Sequence, residues 1–252
     1  MNATGKKRPT PDFKVVIPAR YQSQRLPGKP LLDLAGLPLI QRVHRNAARS
    51  GAGEVVVATD DRRIAECVAG FGGEVCLTST EHACGTDRVA EAAALRGWPD
   101  DAVVVNVQGD EPFLAPGDIA MAASLAAGDD NAACATLAVR QTSPEEMQDP
   151  NKVKVACDEA GFALYFSRSP IPAGEGEWLC HLGIYAYRHA NLKRFTTLAP
   201  CDLERREKLE QLRMLWHSER IRVAIATLPQ YLGIDTEEDL TAAAVLLGGD
   251  IS

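Results

Sequence analysis

Short apolar runs rich in Val and Ile alternate with amphipathic stretches over the first half of the chain. Phe13–Ile17 reads FKVVI, Glu54–Ala58 reads EVVVA and Ala102–Val107 reads AVVVNV. Runs this short, with β-branched residues, predict buried strands. Glu74–Leu77 and Ala133–Val139 predict two more. Ile40–Arg49 sets Ile40, Val43 and Ala47 at helical spacing among basic residues. Asp61–Ala69 predicts a helix that begins at an aspartate and stops at Gly70. Thr86–Leu95 predicts a helix ended by Gly97 and Pro99, and Pro116–Ala126 one with proline in its first turn. Apolar strands separated by such helices predict βαβ units and a parallel sheet covered on both faces. Ligands of these sheets sit beyond the carboxyl ends of the strands. The loops after Ile17, Ala58 and Val107 are therefore where chemistry is expected.

The second half changes character. Val153–Cys157, Ala163–Phe166 and Leu182–Tyr187 predict strands, the first two separated by a short DEAG turn. That spacing predicts an antiparallel element added to the parallel core. Glu204–Ser218 predicts one long amphipathic helix carrying Leu209, Leu212, Met214 and Trp216. Arg222–Thr227 predicts a late strand. Thr236–Leu247 predicts a final helix with Thr236 as N-cap and acids in its first turn. With no internal repeat or linker, the expectation is one α/β domain over 13–252. It embeds a subdomain at approximately 150–220, and a polar, frayed tail at 1–12 precedes it.

Composition narrows the class. Of 252 residues, 46% are hydrophobic and 24% charged, which excludes wholesale disorder, a collagen-like chain and a coiled-coil rod. Lys and Arg number 27 against 34 Asp and Glu, a net charge of −7. That lacks the footprint of a general nucleic-acid binder. Seven cysteines, an odd number with no CxxC pair, argue against a disulfide framework or a zinc ribbon. They fit buried thiols in a reducing compartment. No apolar run approaches the ~20 residues of a membrane helix, and no signal-peptide h-region is evident. The expected location is cytoplasmic, without membrane partners.

Two loops hold charges suited to a polyphosphate. The first, VVIPARYQSQRLPGKPL, carries Arg20, Arg25 and Lys29 among three stiffening prolines. Arg supplies a planar fork and Lys a point charge. The alternative is a solvated loop whose cations only keep it soluble. The loop is neither GxGxxG nor GxxxxGK[ST], so the common nucleotide fingerprints are absent. The second loop, QGDEP, sets Asp110 and Glu111 at a strand's carboxyl end. A carboxylate there suits Mg²⁺ on nucleotide phosphates; the alternative is a turn or helix cap. In GIDTEEDL, Asp235 heads an acidic helix start and reaches a metal only if its loop returns to the Asp110 edge.

These segments together resemble the 3-deoxy-manno-octulosonate (Kdo) cytidylyltransferases. The markers are IPARYQSQRLPGKPL, VATDD, CGTDRVAEA, VNVQGDEP, ATLAV, NKVKV, ALYFSRSPIP, HLGIYAYR, LEQLRMLW and GIDTEEDL, in that order over nearly the whole chain. The resemblance implies an enzyme, a nucleotidyltransferase that moves CMP from CTP to the anomeric hydroxyl of Kdo. The products are CMP-Kdo, which feeds lipopolysaccharide biosynthesis, and pyrophosphate. It also implies a Rossmann-like nucleotide-diphospho-sugar transferase fold with a mixed, mainly parallel sheet and an embedded dimerisation subdomain. A homodimer and a Mg²⁺ requirement come with it.

Carried over by position, Arg20 and Lys29 match the family's phosphate-loop cations, with Arg25 as a helper. Asp110 and Asp235 match its metal carboxylates. Gln108 matches a sugar contact, Arg168 a partner for the sugar's carboxylate, and His181 and Gln211 partners for sugar hydroxyls. Thr86 and Arg88 lie in the segment the family sets near cytosine and ribose. Plainer roles stand beside these. Arg88 could pair with Asp87 or Glu91 on its own helix, His181 could be a satisfied structural histidine, and Trp216 a core or dimer contact. The sugar could also be an 8-amino Kdo analogue or a sialate-like acid. A different class altogether is a nucleotide-binding regulator that keeps the fold without turnover.

Overall fold

The structure, a computed structural model, describes residues 11–22, 26–82, 84–227 and 233–248. Arg25 and residues 1–10 of the expected tail lie outside the described residues. The chain opens with β1 (Phe13–Ala19), whose residues are almost all buried. A 3₁₀ turn at Lys29–Leu31 and a small ribbon, β2 (Asp33–Leu34) and β3 (Leu37–Pro38), lead into α1 (Leu39–Ala48). Then follow β4 (Glu54–Thr59), α2 (Arg62–Gly70), β5 (Glu74–Leu77), α3 (Gly85–Leu95), β6 (Val103–Asn106) and α4 (Pro116–Gly128). This is the alternation the hydrophobic pattern predicts, and β6 is buried along its whole length. Asp61 accepts a hydrogen bond from the Arg63 N–H and so caps α2, as its position suggested.

The second half supplies β7 (Cys134–Gln141), α5 (Pro144–Gln148), β8 (Lys154–Cys157), β9 (Ala163–Ser167) and β10 (Trp178–Arg188). It ends with α6 (His189–Thr197), α7 (Asp202–Glu207), α8 (Leu212–Trp216), β11 (Ile221–Ile225) and α9 (Glu237–Leu246). The main sheet runs β11-β7-β10-β6-β1-β4-β5. β6, β1, β4 and β5 are mutually parallel, as are β7 and β11, and β10 runs antiparallel between β6 and β7. The sheet is thus mixed and mainly parallel. β8 and β9 pair antiparallel to each other, and β8 joins β10.

Alternate residues of each strand feed opposite faces. Phe13, Val15, Ile17, Val103 and Val105 pack into a core with α1, α2 and α4. Val16, Val56, Val104, Tyr185 and Tyr187 pack into a second core with α3, α6 and α8. Both cores leave the carboxyl ends of β1 and β6 side by side. Among the described residues no helix is long and apolar enough to cross a membrane.

The expected long helix at 204–218 is instead two short ones. Lys208 adopts φ 55°, in the left-handed region, and breaks the run between α7 and α8. Tertiary contacts override the helical periodicity on both sides of the break. Glu207 accepts from the Ser167 hydroxyl and the Arg168 N–H, and Glu204 takes a two-pronged ion pair from Arg213. The expected strand at 182–187 is longer, beginning at Trp178, with an irregularity between Leu182 and Tyr185.

Candidate active site

A cavity of about 450 Å³ opens at the carboxyl ends of β1 and β6. Pro18, Arg20, Gln22, Lys29, Gln108, Asp110 and Asp235 line it. Three separate loops build it. The QGDEP loop approaches β1 so closely that a Cβ on Gly109 would stand 3.0 Å from the Pro18 carbonyl oxygen, so any side chain there would crowd the β1 backbone. The Ile234 N–H donates to the Asp110 carbonyl at 2.9 Å. The loop before α9 therefore does return to the Asp110 edge. Thr236 caps α9 in a reciprocal capping box with Asp239, which leaves the Asp235 carboxylate to turn toward the cavity.

Lys29 ties these loops together. Its Nζ donates to Asp110 Oδ2 at 2.6 Å, to the Ile234 carbonyl at 2.8 Å and to Asp235 Oδ1 at 3.0 Å. Burial disfavours the ammonium, but the two carboxylates outweigh it and hold its pKa above the usual lysine value. Repulsion between two carboxylates set this close is thus answered from within the protein by Lys29. Beside them, the Glu111 carboxyl is enclosed even though part of the residue reaches the surface. Burial first, and then the charges of Asp110 and Asp235, push its pKa up to about 8, against a smaller pull from Lys29. Burial therefore biases Glu111 toward its neutral form, which its sequence neighbourhood did not reveal.

Arg20 reaches across to the segment before α3, donating to the His82 carbonyl at 2.7 Å and the Cys84 carbonyl at 3.2 Å. The imidazole of His82 is in turn bonded to Glu91. Gln108 stands between the cavity and the start of α3, its side-chain Oε1 3.9 Å from where a Cβ on Gly85 would lie.

Other candidates stand elsewhere. Arg88 is fully buried, pairing with Asp60 at 2.6 Å and bonding Thr78. Neither Asp87 nor Glu91 is its partner, and it does not line the cavity. A guanidinium buried on α3 needs a charge within reach, and the end of β4 offers one. Thr86 is buried and donates to Glu210. Neither side chain lines the cavity; the start of α3 comes near its wall at Gly85, where a Cβ would lie 3.8 Å from Pro18. Arg168 also departs from expectation. It donates to the carbonyls of Glu207 and Pro150, each at 2.8 Å, and points a third nitrogen at that of Lys208. These bonds tie β9 to α7 rather than leave a fork open for a carboxylate.

His181 bonds the Thr136 hydroxyl at 2.9 Å and packs against Phe166 and Tyr185. Burial drops its pKa to about 3, so the ring is neutral. Gln211 is buried at the head of α8. Its neighbour Glu210 is the carboxylate the sequence reasoning passed over. Glu210 accepts from Thr86 and helps burial push the Cys84 thiol far up. The LEQ triplet before α8 was its signal.

The cytidylyltransferase family profile matches residues 14–221. A 3-deoxy-manno-octulosonate cytidylyltransferase of Idiomarina loihiensis is 51% identical over 249 residues, spanning 94% of this chain and 98% of the relative. This chain belongs to that family. The family's enzymes are nucleotidyltransferases, and so is this protein. The same enzyme of Halorhodospira halophila is 49% identical, over 93% of this chain and 96% of its own. A solved structure of CMP:2-keto-3-deoxy-manno-octonic acid synthetase complexed with CTP superposes with a TM-score of 0.88. It is 39% identical and covers 94% of this chain and 99% of that one. The Rossmann-like fold is therefore that of a sugar cytidylyltransferase.

Proposed function

We propose that this cavity takes the triphosphate of CTP and that the enzyme transfers CMP from CTP to the anomeric hydroxyl of Kdo. The observation that carries the reading is the meeting of Lys29, Asp110 and Asp235 at the mouth of β1 and β6. The sugar hydroxyl attacks the α-phosphorus and pyrophosphate leaves in line. Such a reaction asks the protein mainly to position two anions and to neutralise developing charge. Lys29 and Arg20 supply fixed positive charge on two sides of the cavity. Gln108 supplies an amide at its inner wall for a hydroxyl of the sugar.

Two hard carboxylate oxygens facing one cavity fit Mg²⁺, which takes one or two protein carboxylates and leaves its other positions to phosphates and water. Asp110 and Asp235 would hold it. Among the described residues no cluster of three or more His, Cys, Asp or Glu side chains forms a metal cage. When bound, Mg²⁺ supplies Lewis acidity to phosphate oxygens. Before substrate arrives, Lys29 keeps the two carboxylates together.

We place the enzyme in the cytoplasm, where its seven free thiols suit a reducing compartment, and as a homodimer through the exposed face of α8 and β9. One assay tests the catalytic reading: pyrophosphate release with CTP, Mg²⁺ and a panel of acidic sugars. Release with Kdo is expected. CTP binding without release under every sugar would identify a regulator instead.

A further inference from the structure

Tyr21 and Gly28, the neighbours of Arg20 and Lys29, form a neck that a backbone bond closes. The Gly28 N–H donates to the Tyr21 carbonyl at 2.9 Å. Gly28 has φ +71°, and the Tyr21 ring lies against it. A Cβ on Gly28 would stand 3.2 Å from the ring carbons Cε2 and Cζ. The Arg63 guanidinium covers the same ring, 3.3 Å from its centroid. Arg63 is fixed in turn by Asp61, with Nε on Oδ1 at 3.0 Å and Nη2 on Oδ2 at 2.6 Å. Asp61 is the N-cap of α2. The first turn of α2, a two-pronged ion pair, an aromatic ring and a residue without a side chain thus form one column beside the cavity.

We propose that Tyr21 and Arg63 are positioning residues that hold this neck closed and so keep Arg20 and Lys29 set for the triphosphate. The proposal rests on the reading of those two cations as phosphate contacts. The Arg63–Asp61 pair alone is exposed and contributes little. Its effect is to hold a flat cation over the ring, and the ring then packs the neck. Without that cover the Tyr21–Gly28 bond breaks part of the time, and apparent affinity falls by the fraction in which it is made. Turnover at saturating substrate is not affected, because bound nucleotide closes the neck. Gln108, the sugar contact proposed above, lies on the loop after β6 and should not respond.

Arg63→Ala is expected to raise KM for CTP about two- to fivefold, the scale of one exposed cation–ring contact. Its kcat should stay within about twofold and KM for Kdo should not move. Tyr21→Phe keeps the ring and should match the parent enzyme, whereas Tyr21→Ala should exceed Arg63→Ala. Hydrogen exchange at the Gly28 amide reads the neck directly and needs no activity. It should quicken in Arg63→Ala and Tyr21→Ala and stay slow in Tyr21→Phe. Unchanged KM for CTP in Arg63→Ala overturns the proposal, whether or not Gly28 exchange quickens. So does an equal rise in KM for both substrates with a lowered Tm, which marks general loosening. A parent enzyme that releases no pyrophosphate from CTP would sink the catalytic reading instead, and the exchange measurement would still decide the neck.

Discussion

Lys29 sits where two carboxylates converge, and both substitutions at those carboxylates follow from that geometry. Asp110→Asn and Asp235→Asn each keep the size and remove the charge. Each is expected to lose at least ~10²-fold in turnover, the scale of removing one electrostatic stabiliser. The double variant should be little worse than the worse single, because the pair acts as a unit. Since Thr236 already caps α9, a capping role no longer explains Asp235. Near-parental turnover in Asp235→Asn would remove it from the site. Stability should change little there, because Asp235 is 43% exposed and such a pair contributes ~1 kcal/mol or less. Glu111 makes a pH-dependent contribution of definite sign. Its pKa rises from 4.5 to about 8 on folding, so between those values the folded state holds the extra proton. This group's contribution to stability therefore falls as pH rises across that window. Glu111→Gln should flatten the dependence in Mg²⁺-free thermal unfolding. Equal slopes in parent and variant would refute the assignment.

At the scale of elements, the 202–216 region shows tertiary contacts dividing a helix. Lys208 carries a left-handed conformation that costs a non-glycine residue roughly 1–2 kcal/mol. Lys208→Gly should recover part of that, about 0.5–1 kcal/mol after glycine's own entropic cost, read as a higher urea midpoint at unchanged m. A lower midpoint would mean that the lysine side chain, not the backbone, holds the break. The consequences reach the site's surroundings. With the run divided, Glu207 serves the β9 end and Glu210 turns to Thr86 on α3. One straight helix has a single inward face, and the two short ones direct their carboxylates to different neighbours.

At the scale of the whole molecule, part of the exposed apolar surface lies on this segment and the strand beside it. Trp216 on α8 is 57% exposed and Leu164 on β9 is 62% exposed, on elements that pack together. Two large apolar groups on adjoining elements are poorly placed in water and suit a two-fold partner. Sedimentation at micromolar concentration should show a dimer, and Trp216→Asp combined with Leu164→Glu should shift it toward monomer with the fold intact. A strictly monomeric parent protein would refute the interface.

The chain's local chemistry determined a good deal unaided. Strands such as FKVVI and AVVVNV, the caps at Asp61 and Thr236 and the cations after β1 are written in contiguous residues, and their effects act over a few positions. Ten segments in order were enough to indicate the family. What the sequence could not determine depends on distant chain segments meeting. Asp110 and Asp235 become neighbours only because the sheet order brings their loops to one edge, where the Ile234 amide finds the Asp110 carbonyl. Arg168 reads as a fork for a sugar carboxylate and Arg88 as a neighbour of the nucleotide or a partner of Asp87 or Glu91, yet Asp60 takes Arg88 and backbone carbonyls take Arg168. An arginine has five donors and no inherent preference among acceptors. Its role is settled by whichever charge or carbonyl the packed elements bring within reach.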